Sequence, residues 1–246
     1  MRQEAYFCTV KELDELGKNN IPRQLISHTH LIYSSPATLA FNSPGAEGFG
    51  VKRAGLAVPD SVMLIVSPGC CGRNTSVLSS MRAYQDRFYY LLMDETDIVT
   101  GRHLKKIPKA VAEICEGLKK KPSVVMICIT CVDALLGTDM ERVCHKAEEY
   151  AGVPVRPCYM YALTREGRKP PMVHVRQSVY SLLEPKKKKG NVVNLLGYFS
   201  PLTDDCELYD LLHGAGVKTI HEISRCKDYA QYQTMSCLLY TSDAAD

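Results

Sequence analysis

The 246-residue chain lacks the features that direct a protein into or across a membrane. No apolar stretch approaches the ~20 residues that a membrane-spanning helix requires. The first residues, Met1–Tyr6, carry no signal-peptide pattern. The sequence therefore predicts a cytoplasmic protein that has no membrane partner.

Strong charge and nucleotide-binding motifs are absent as well. The formal net charge is only +3, and no basic patch contains interleaved aromatic residues, so a nucleic-acid partner is not expected. The only run of like charge is Lys186–Lys189, which lies between Pro185 and Gly190 and is typical of a solvated linker. Neither a G-x-G-x-x-G nor a Walker sequence occurs, which argues against a bound nucleotide.

Cysteine, in contrast, is plentiful. The chain has 11 cysteines, and a disulfide framework is not expected in the cytoplasm, where thiols stay reduced. Metal binding or catalysis is the standing alternative for some of them. Cys115 and Cys144 fall in helical patterns and are predicted to be small core residues, whereas Cys8, Cys206 and Cys226 have no informative context.

The C-terminal segment Cys237–Asp246 is unlike the rest of the chain. It resembles the translation of a transposase adapter that is used to prepare sequencing libraries. We therefore expect the native sequence to stop near Ser236, truncated at the end of an assembled DNA fragment, and the tail has no place in the predicted fold.

Alternating strand and helix patterns predict an α/β fold with a parallel sheet. The runs Val62–Val66 and Val124–Ile129 are apolar and β-branched, as strands buried on both faces are. Each precedes a loop and a helical pattern, which indicates βαβ units with right-handed crossovers. We predict a Rossmann-like domain over residues 1–185, a basic linker at 186–190, the start of a second, incomplete Rossmann-like domain at 191–236 and the non-native tail at 237–246.

The two apolar strands lead directly into cysteine-bearing loops. The first loop is Ser67-Pro68-Gly69-Cys70-Cys71-Gly72, and the second begins with Thr130-Cys131. Ligands of open parallel sheets bind at the carboxyl ends of the strands. Both sets of thiols are therefore expected at this edge, where they favour a soft metal centre. The glycines would let backbone amides approach an inorganic sulfide.

Other interpretations of the cysteines stay open. Cys158, after a predicted strand at Val153–Arg156, and the cysteines of both loops could be buried structural thiols. Cys128-x-x-Cys131 could hold one metal only if the chain turned before Cys131, because positions i and i+3 of a strand face opposite ways. No second C-x-x-C is present to complete a zinc site.

Two further polar patterns have ordinary explanations. His28-x-His30 is predicted to be a surface pair on a strand rather than a ligand set. Asp94-Glu95-x-Asp97 is predicted to be a solvated strand entry rather than an acidic site.

The order and spacing of four short motifs give the chain a resemblance to a known family. The motifs are Pro44-Gly45-Ala46, the loop Ser67–Cys71 with Pro68 and Cys71 in register, Glu95–Gly101, and Thr130-Cys131 with Leu136–Asp139. They resemble segments of the component 1 family of nitrogenase and nitrogenase-like oxidoreductases. That family includes the nitrogenase α and β subunits, the dark-operative protochlorophyllide reductase subunits and the enzyme that reduces the nickel-porphinoid precursor of coenzyme F430. The resemblance covers about residues 30–236.

The resemblance implies an iron–sulfur cluster, [4Fe-4S] or P-cluster-like, that bridges two subunits. The ligand role carries over to Cys71 and Cys131, and Cys70 is a candidate third ligand. The implied partners are another component 1 subunit, in a homo- or heterodimer, and a nitrogenase-reductase-like iron protein that uses the ATP. The chain departs from the family in three places: Leu39–Pro44 lacks a cysteine, Ser67-Pro68 replaces a His-Gly-Pro opening, and Cys70 stands where the family has glycine.

Three functions follow from these observations. The first is the iron–sulfur-cluster-binding catalytic component of an ATP-dependent two-component reductase, which receives electrons from the iron protein. The alternative is a metallocluster assembly scaffold on the same fold. A further alternative is a non-catalytic module whose cysteines are structural or hold zinc. The family's active-site metallocluster ligands would lie beyond the truncation, so the substrate is not predicted, and the truncated chain is expected to be inactive alone.

Overall fold

The computed structural model describes residues 9–17, 19–20, 22, 50–69, 79–80, 82–159, 171–185, 191–196, 199 and 201–236. The helices are α1 (Val10–Leu16), α2 (Gly50–Gly55), α3 (Glu95–Thr100), α4 (Arg102–Gly117), α5 (Cys131–Leu136), α6 (Met140–Ala151), α7 (Pro171–Tyr180), α8 (Glu207–Gly214) and α9 (Tyr229–Gln233). The strands are β1 (Val62–Ser67), β2 (Phe88–Leu92), β3 (Val125–Ile129), β4 (Val155–Tyr159), β5 (Val192–Leu195) and β6 (Thr219–Glu222), and single 3-10 turns lie at Arg82–Tyr84, Ile223–Arg225 and Thr234–Ser236.

Four strands form one parallel sheet in the order β2-β1-β3-β4. Within it, Ile65 of β1 pairs with Tyr90 on one side and with Cys128 on the other. The chain adds β2 on one side of β1 and then crosses to add β3 on the opposite side. This reversal creates a topological switch point between β1 and β3, the place where open α/β sheets bind ligands. The predicted parallel α/β architecture is confirmed.

Alternation along the strands gives the sheet two apolar faces. We call the side covered by α2 and α7 the first face and the side covered by α4 and α6 the second face. The first face buries Met63, Ile65, Met126, Cys128 and Cys158 against Val51, Ala54, Val175 and Val179, and the second buries Leu64, Val66, Ile127 and Ile129 against Ile107, Val111 and Ala147. Each fully buried isoleucine or leucine contributes roughly 1.5–3 kcal/mol by removal of apolar surface from water.

The outer edge of β4 is closed to further strand pairing. Val125 donates to the carbonyl of Pro154, so the alternate residues Val155 and Pro157 face away from β3. The Val155 N–H donates to Glu148 Oε1 at 2.9 Å, and the Val155 carbonyl accepts from the Arg156 guanidinium at 2.8 Å. Pro157 has no N–H, and its carbonyl accepts from Ser178 Oγ at 2.7 Å. Because these edge groups already have partners, β4 is a poor template for another strand.

β5 and β6 form a separate two-stranded parallel sheet. The residues after β6 return to the first face, where Ile223, Tyr232 and Met235 are buried. The Tyr232 hydroxyl donates to the carbonyl of Val179. Residues 223–235 therefore pack on the first sheet, and the predicted domain boundary at 185 stays a prediction.

Residues 225–235 do not form one continuous helix. The structure has a 3-10 turn, then α9, then a second 3-10 turn. Asp228 interrupts the helix because its carboxylate accepts from the Gln231 N–H at 2.7 Å and so caps a new start. In the described parts of the chain, no helix is long and apolar enough to cross a membrane.

Arg87 ties the segment before β1 to the start of β2. Its guanidinium donates to the carbonyls of Leu56 at 2.7 Å and Ser61 at 2.9 Å, and to Ser61 Oγ at 2.7 Å. We expect Arg87→Met to lower the free energy of unfolding by about 2–3 kcal/mol, because buried acceptors lose their donor. Urea unfolding measures this, with the exposed Arg142→Met as the control. An Arg87→Met protein as stable as that control would contradict the prediction.

Candidate metal centre

The candidate site lies at the carboxyl ends of β1 and β3, on the two sides of the switch point. Val66 pairs with Ile129, so the next residues, Ser67 and Thr130, lie side by side where the strands end. The first cysteine loop is described as far as Gly69. Both cysteine loops therefore leave the same edge of the sheet, from neighbouring strands.

The predicted ligands are described to different extents. Cys70 and Cys71 lie outside the described residues. Cys131 is the first residue of α5, and its backbone is described but its side chain is not. The chain does turn before Cys131, which is the condition for a shared Cys128–Cys131 metal site, but Cys128 is fully buried inside the first face. The ligand roles of Cys70, Cys71 and Cys131 stay predictions.

Two buried hydroxyls mark the edge directly before the cysteine loops. Ser67 is the last residue of β1, and Thr130 directly follows the last residue of β3. They are 0% and 2% exposed, and neither hydroxyl has a hydrogen-bond partner among the residues that the structure describes. Leaving such groups unpaired is costly. Hydroxyl donors beside thiol-bearing loops fit an iron–sulfur cluster, whose sulfurs accept hydrogen bonds.

A histidine–aspartate pair that the sequence did not predict lies behind the second loop. His103 of α4 and Asp133 of α5 are 1% and 0% exposed, and His103 Nε2 lies 2.9 Å from Asp133 Oδ1. His103 Nδ1 lies 3.0 Å from the carbonyl oxygen of Asp97. A carbonyl oxygen only accepts, so Nδ1 carries the hydrogen of the Asp97 contact. The only sequence signal was the position of Asp133, two residues after Cys131.

Asp97 is a buried anchor and not part of a solvated strand entry. Asp94 accepts from the Asp97 N–H at 2.6 Å and thereby caps α3, so the acidic pattern marks a helix start. The Asp97 carboxylate accepts from Lys106 Nζ at 2.7 Å and from Arg102 Nε at 3.2 Å. Gly101, with φ +65°, makes the left-handed turn between α3 and α4 that brings these cations back to Asp97.

The Asp97 contacts predict a pH-dependent stability. The hydrogen bond from Lys106 holds the pKa of the Asp97 carboxyl below its ordinary value of 3.8, and Arg102 acts in the same direction. A lowered folded-state pKa stabilises the fold above pH 3.8, and this contribution is lost as the pH falls through the lowered pKa. We expect Asp97→Asn to be less stable than the wild type at neutral pH, with a difference that narrows in acid.

Unfolding in urea at a series of pH values measures this difference. Asp204→Asn is the matched control, because the Asp204 side chain is 90% exposed in its ion pair with Arg225. A stability difference for Asp97→Asn that stayed constant from neutral pH into acid would contradict the prediction.

Cys158 does not follow its strand but lies inside β4, directly opposite Cys128. The predicted strand ended too early because Pro157, which a central strand would reject, is tolerated on the edge strand. Both thiols are fully buried, as is the side chain of Lys52. A hydrogen bond from Cys158 lowers the pKa of Cys128, with a smaller contribution from the Lys52 charge, and the same bond raises the pKa of Cys158.

The remaining described cysteines have structural surroundings. Cys144 is 3% exposed in the second-face core, and burial raises the pKa of its thiol. Cys115 packs against the same core, as the helical pattern predicted. Among the described residues, no three histidine, cysteine or acidic side chains come together as a metal site.

Comparison with known proteins identifies the class. Residues 47–238 match the family of nitrogenase component 1 type oxidoreductases. The chain belongs to this family, which confirms the resemblance indicated by its motifs.

The curated relatives carry a more specific name. The chain is 28% identical to the nitrogenase iron-molybdenum cofactor biosynthesis protein NifE of Rhizobium meliloti (strain 1021), over 69% of this chain and 37% of the relative. It is 26% identical to the NifE of Klebsiella pneumoniae, over 78% of this chain and 46% of the relative. The chain therefore spans less than half the length of these relatives.

Solved structures support the fold. The structure "Nitrogenase Cp1 at pH 6.5" matches this chain with a TM-score of 0.54 and 20% identity. The match covers 74% of this chain and 38% of the chain in that structure. The likeness extends to the arrangement of strands and helices, and the Rossmann-like fold of this family is thereby established for the chain.

Proposed function

We propose that the complete protein binds an iron–sulfur cluster at an interface between two component 1 type subunits, with Cys71 and Cys131 among the ligands. The observation that carries the proposal is the departure of both cysteine loops from neighbouring strands at the switch point. Membership in the family supports it independently. Cys70 is the proposed third ligand, and a cluster of the [4Fe-4S] or P-cluster-like type is the proposed cofactor.

The described residues would act on the cluster by placement and hydrogen bonding. When bound, the cluster supplies one-electron chemistry. Ser67 and Thr130 would donate hydrogen bonds to its sulfurs, which favours the reduced, more negative state. Two or three thiols from one chain do not complete a four-thiolate set, so a second subunit would supply the rest across a symmetric or pseudo-symmetric interface.

The first candidate activity is that of an oxidoreductase in an ATP-dependent two-component system. A separate nitrogenase-reductase-like iron protein would hydrolyse ATP and pass single electrons to the cluster. The family assignment supports this activity.

The second candidate is a metallocluster assembly scaffold on the same fold. The names of the curated relatives favour it, because both relatives described above are cofactor biosynthesis proteins. A scaffold would use the same cluster site but would hand over a metallocluster instead of reducing an external substrate.

One anaerobic experiment separates the two candidates. The complete gene product, loaded with iron and sulfide, is mixed with the iron protein, ATP and a limiting reductant. Sustained ATP-dependent consumption of reductant over many electrons per protein, with protons or an added organic acceptor taking up the electrons, supports the reductase. Electron uptake that stops once the cluster is reduced, together with transfer of metal to an acceptor protein that lacks its metallocluster, supports the scaffold. Purified protein that contains zinc and no iron would overturn both.

A further inference from the structure

Helix α5, which begins at Cys131, is too short to hold its own position. It has six residues between Thr130 and Gly137, and helices of this length are marginal without tertiary contacts. The placement of Cys131 at the sheet edge must therefore come from contacts that α5 makes with the rest of the fold.

Asp133 provides such a contact. It is fully buried, and its Oδ1 lies 2.9 Å from His103 Nε2. The hydroxyl of Thr138, just beyond the helix, donates to the same oxygen at 3.2 Å, and the Thr138 N–H donates to the Asp133 carbonyl at 3.0 Å. Both ends of α5 are thus tied to one carboxylate, and that carboxylate is tied to α4.

His103 is itself held in one orientation. Its Nδ1–H donates to the Asp97 carbonyl at 3.0 Å, and a flipped ring would place carbon atoms against both partners. Asp97 is fixed in turn by Asp94, Lys106 and Arg102. A rigid chain of contacts therefore runs from the α3–α4 turn to the first turn of α5.

We propose that His103 is a positioning residue for the candidate cluster site: through Asp133 it fixes the first turn of α5 and hence the backbone of Cys131. The inference rests on the proposed ligand role of Cys131. A hydrogen bond that only stabilised the fold could be exchanged for an apolar contact without changing the site. A positioning bond could not, because apolar contacts are not directional.

The test compares variants of the complete gene product that keep or lose the hydrogen bond. Asp133→Asn and His103→Gln retain a polar group that can reach the partner. The double variant His103→Leu/Asp133→Leu fills the space with apolar side chains. Two readouts are used: the alkylation rate of Cys131 in the apo protein, by mass spectrometry, and the electron paramagnetic resonance spectrum after anaerobic loading with iron and sulfide.

The expected result is a wild-type spectrum and an alkylation rate within about twofold for the conservative variants. For the folded double-leucine variant we expect an altered spectrum, a cluster affinity lowered at least about tenfold, as for other residues that orient metal ligands, and an alkylation rate outside that twofold range. A double-leucine variant that folds and matches the wild type in both readouts would overturn the proposal. If the double-leucine variant does not fold, His103→Asn takes its place, because it keeps the Asp97 contact but cannot reach Asp133. An altered spectrum and alkylation rate in His103→Asn would support the proposal, and wild-type values in both would overturn it.

Cys131→Ser separates this inference from the proposed function. An unchanged cluster spectrum in Cys131→Ser refutes the ligand role, while the alkylation rates of the apo variants still judge His103. Loss of the cluster in Cys131→Ser, together with a normal double-leucine variant, refutes the role of His103 alone.

Discussion

Replacing His103 by leucine is expected to lower the free energy of unfolding by about 3–5 kcal/mol, the usual cost of removing one member of a buried acid–base pair. The substitution leaves Asp133 fully buried with only the Thr138 contacts. Asp133 Oδ2 already has no partner among the described residues, so the Thr138 hydroxyl would be the one donor left to the carboxylate in this part of the chain.

A double-mutant cycle in urea checks this prediction. His103→Leu/Asp133→Leu should recover more than half of the lost stability, because an apolar pair of similar volume needs no hydrogen bonds. His145→Leu is the matched control, since the His145 side chain is 73% exposed beside Glu149. Additive effects of the two single substitutions would show that the pair does not act as a unit.

Cys71→Ser and Cys131→Ser are each expected to remove the iron–sulfur cluster from the complete gene product. Serine offers a harder, weakly acidic oxygen in place of a soft thiolate, so cluster affinity should fall at least about tenfold. Visible absorbance and iron and sulfide content after anaerobic reconstitution measure the loss.

Cys115→Ser and Cys206→Ser are the matched controls for the iron content of Cys71→Ser and Cys131→Ser. Both residues are partly exposed, and neither lies at the carboxyl edge of β1 or β3. They should keep wild-type iron content. Equal iron content in all four variants would refute the ligand assignment.

The strands β1 and β3 could be predicted because their signal lies within a few consecutive residues. β1 and β3 are continuous apolar runs, and their loops carry the thiols, so the sheet edge could be predicted from the sequence. At the start of α3, Ile98 and Val99 favour a strand, whereas the structure has a helix that the Asp94 carboxylate caps. The strand predicted at Val153–Arg156 is too short, since β4 continues through Pro157 to Tyr159 and an edge strand tolerates proline.

The supporting network of the site could not be predicted in the same way. His103 and Asp133 are 30 residues apart in sequence, and nothing local distinguishes them from exposed polar residues. His103 is buried because the left-handed turn at Gly101 directs the start of α4 towards α5. The pairing of Cys128 with Cys158 likewise depends on the register between β3 and β4, which the sequence alone does not determine.

The most direct test of the cluster assignment is an anomalous difference map at the iron edge, from crystals of the complete, anaerobically loaded protein. The account predicts iron density at the carboxyl ends of β1 and β3, beside Ser67 and Thr130, with the sulfurs of Cys71 and Cys131 bonded to it. Iron bound elsewhere, or zinc at this edge, would contradict it.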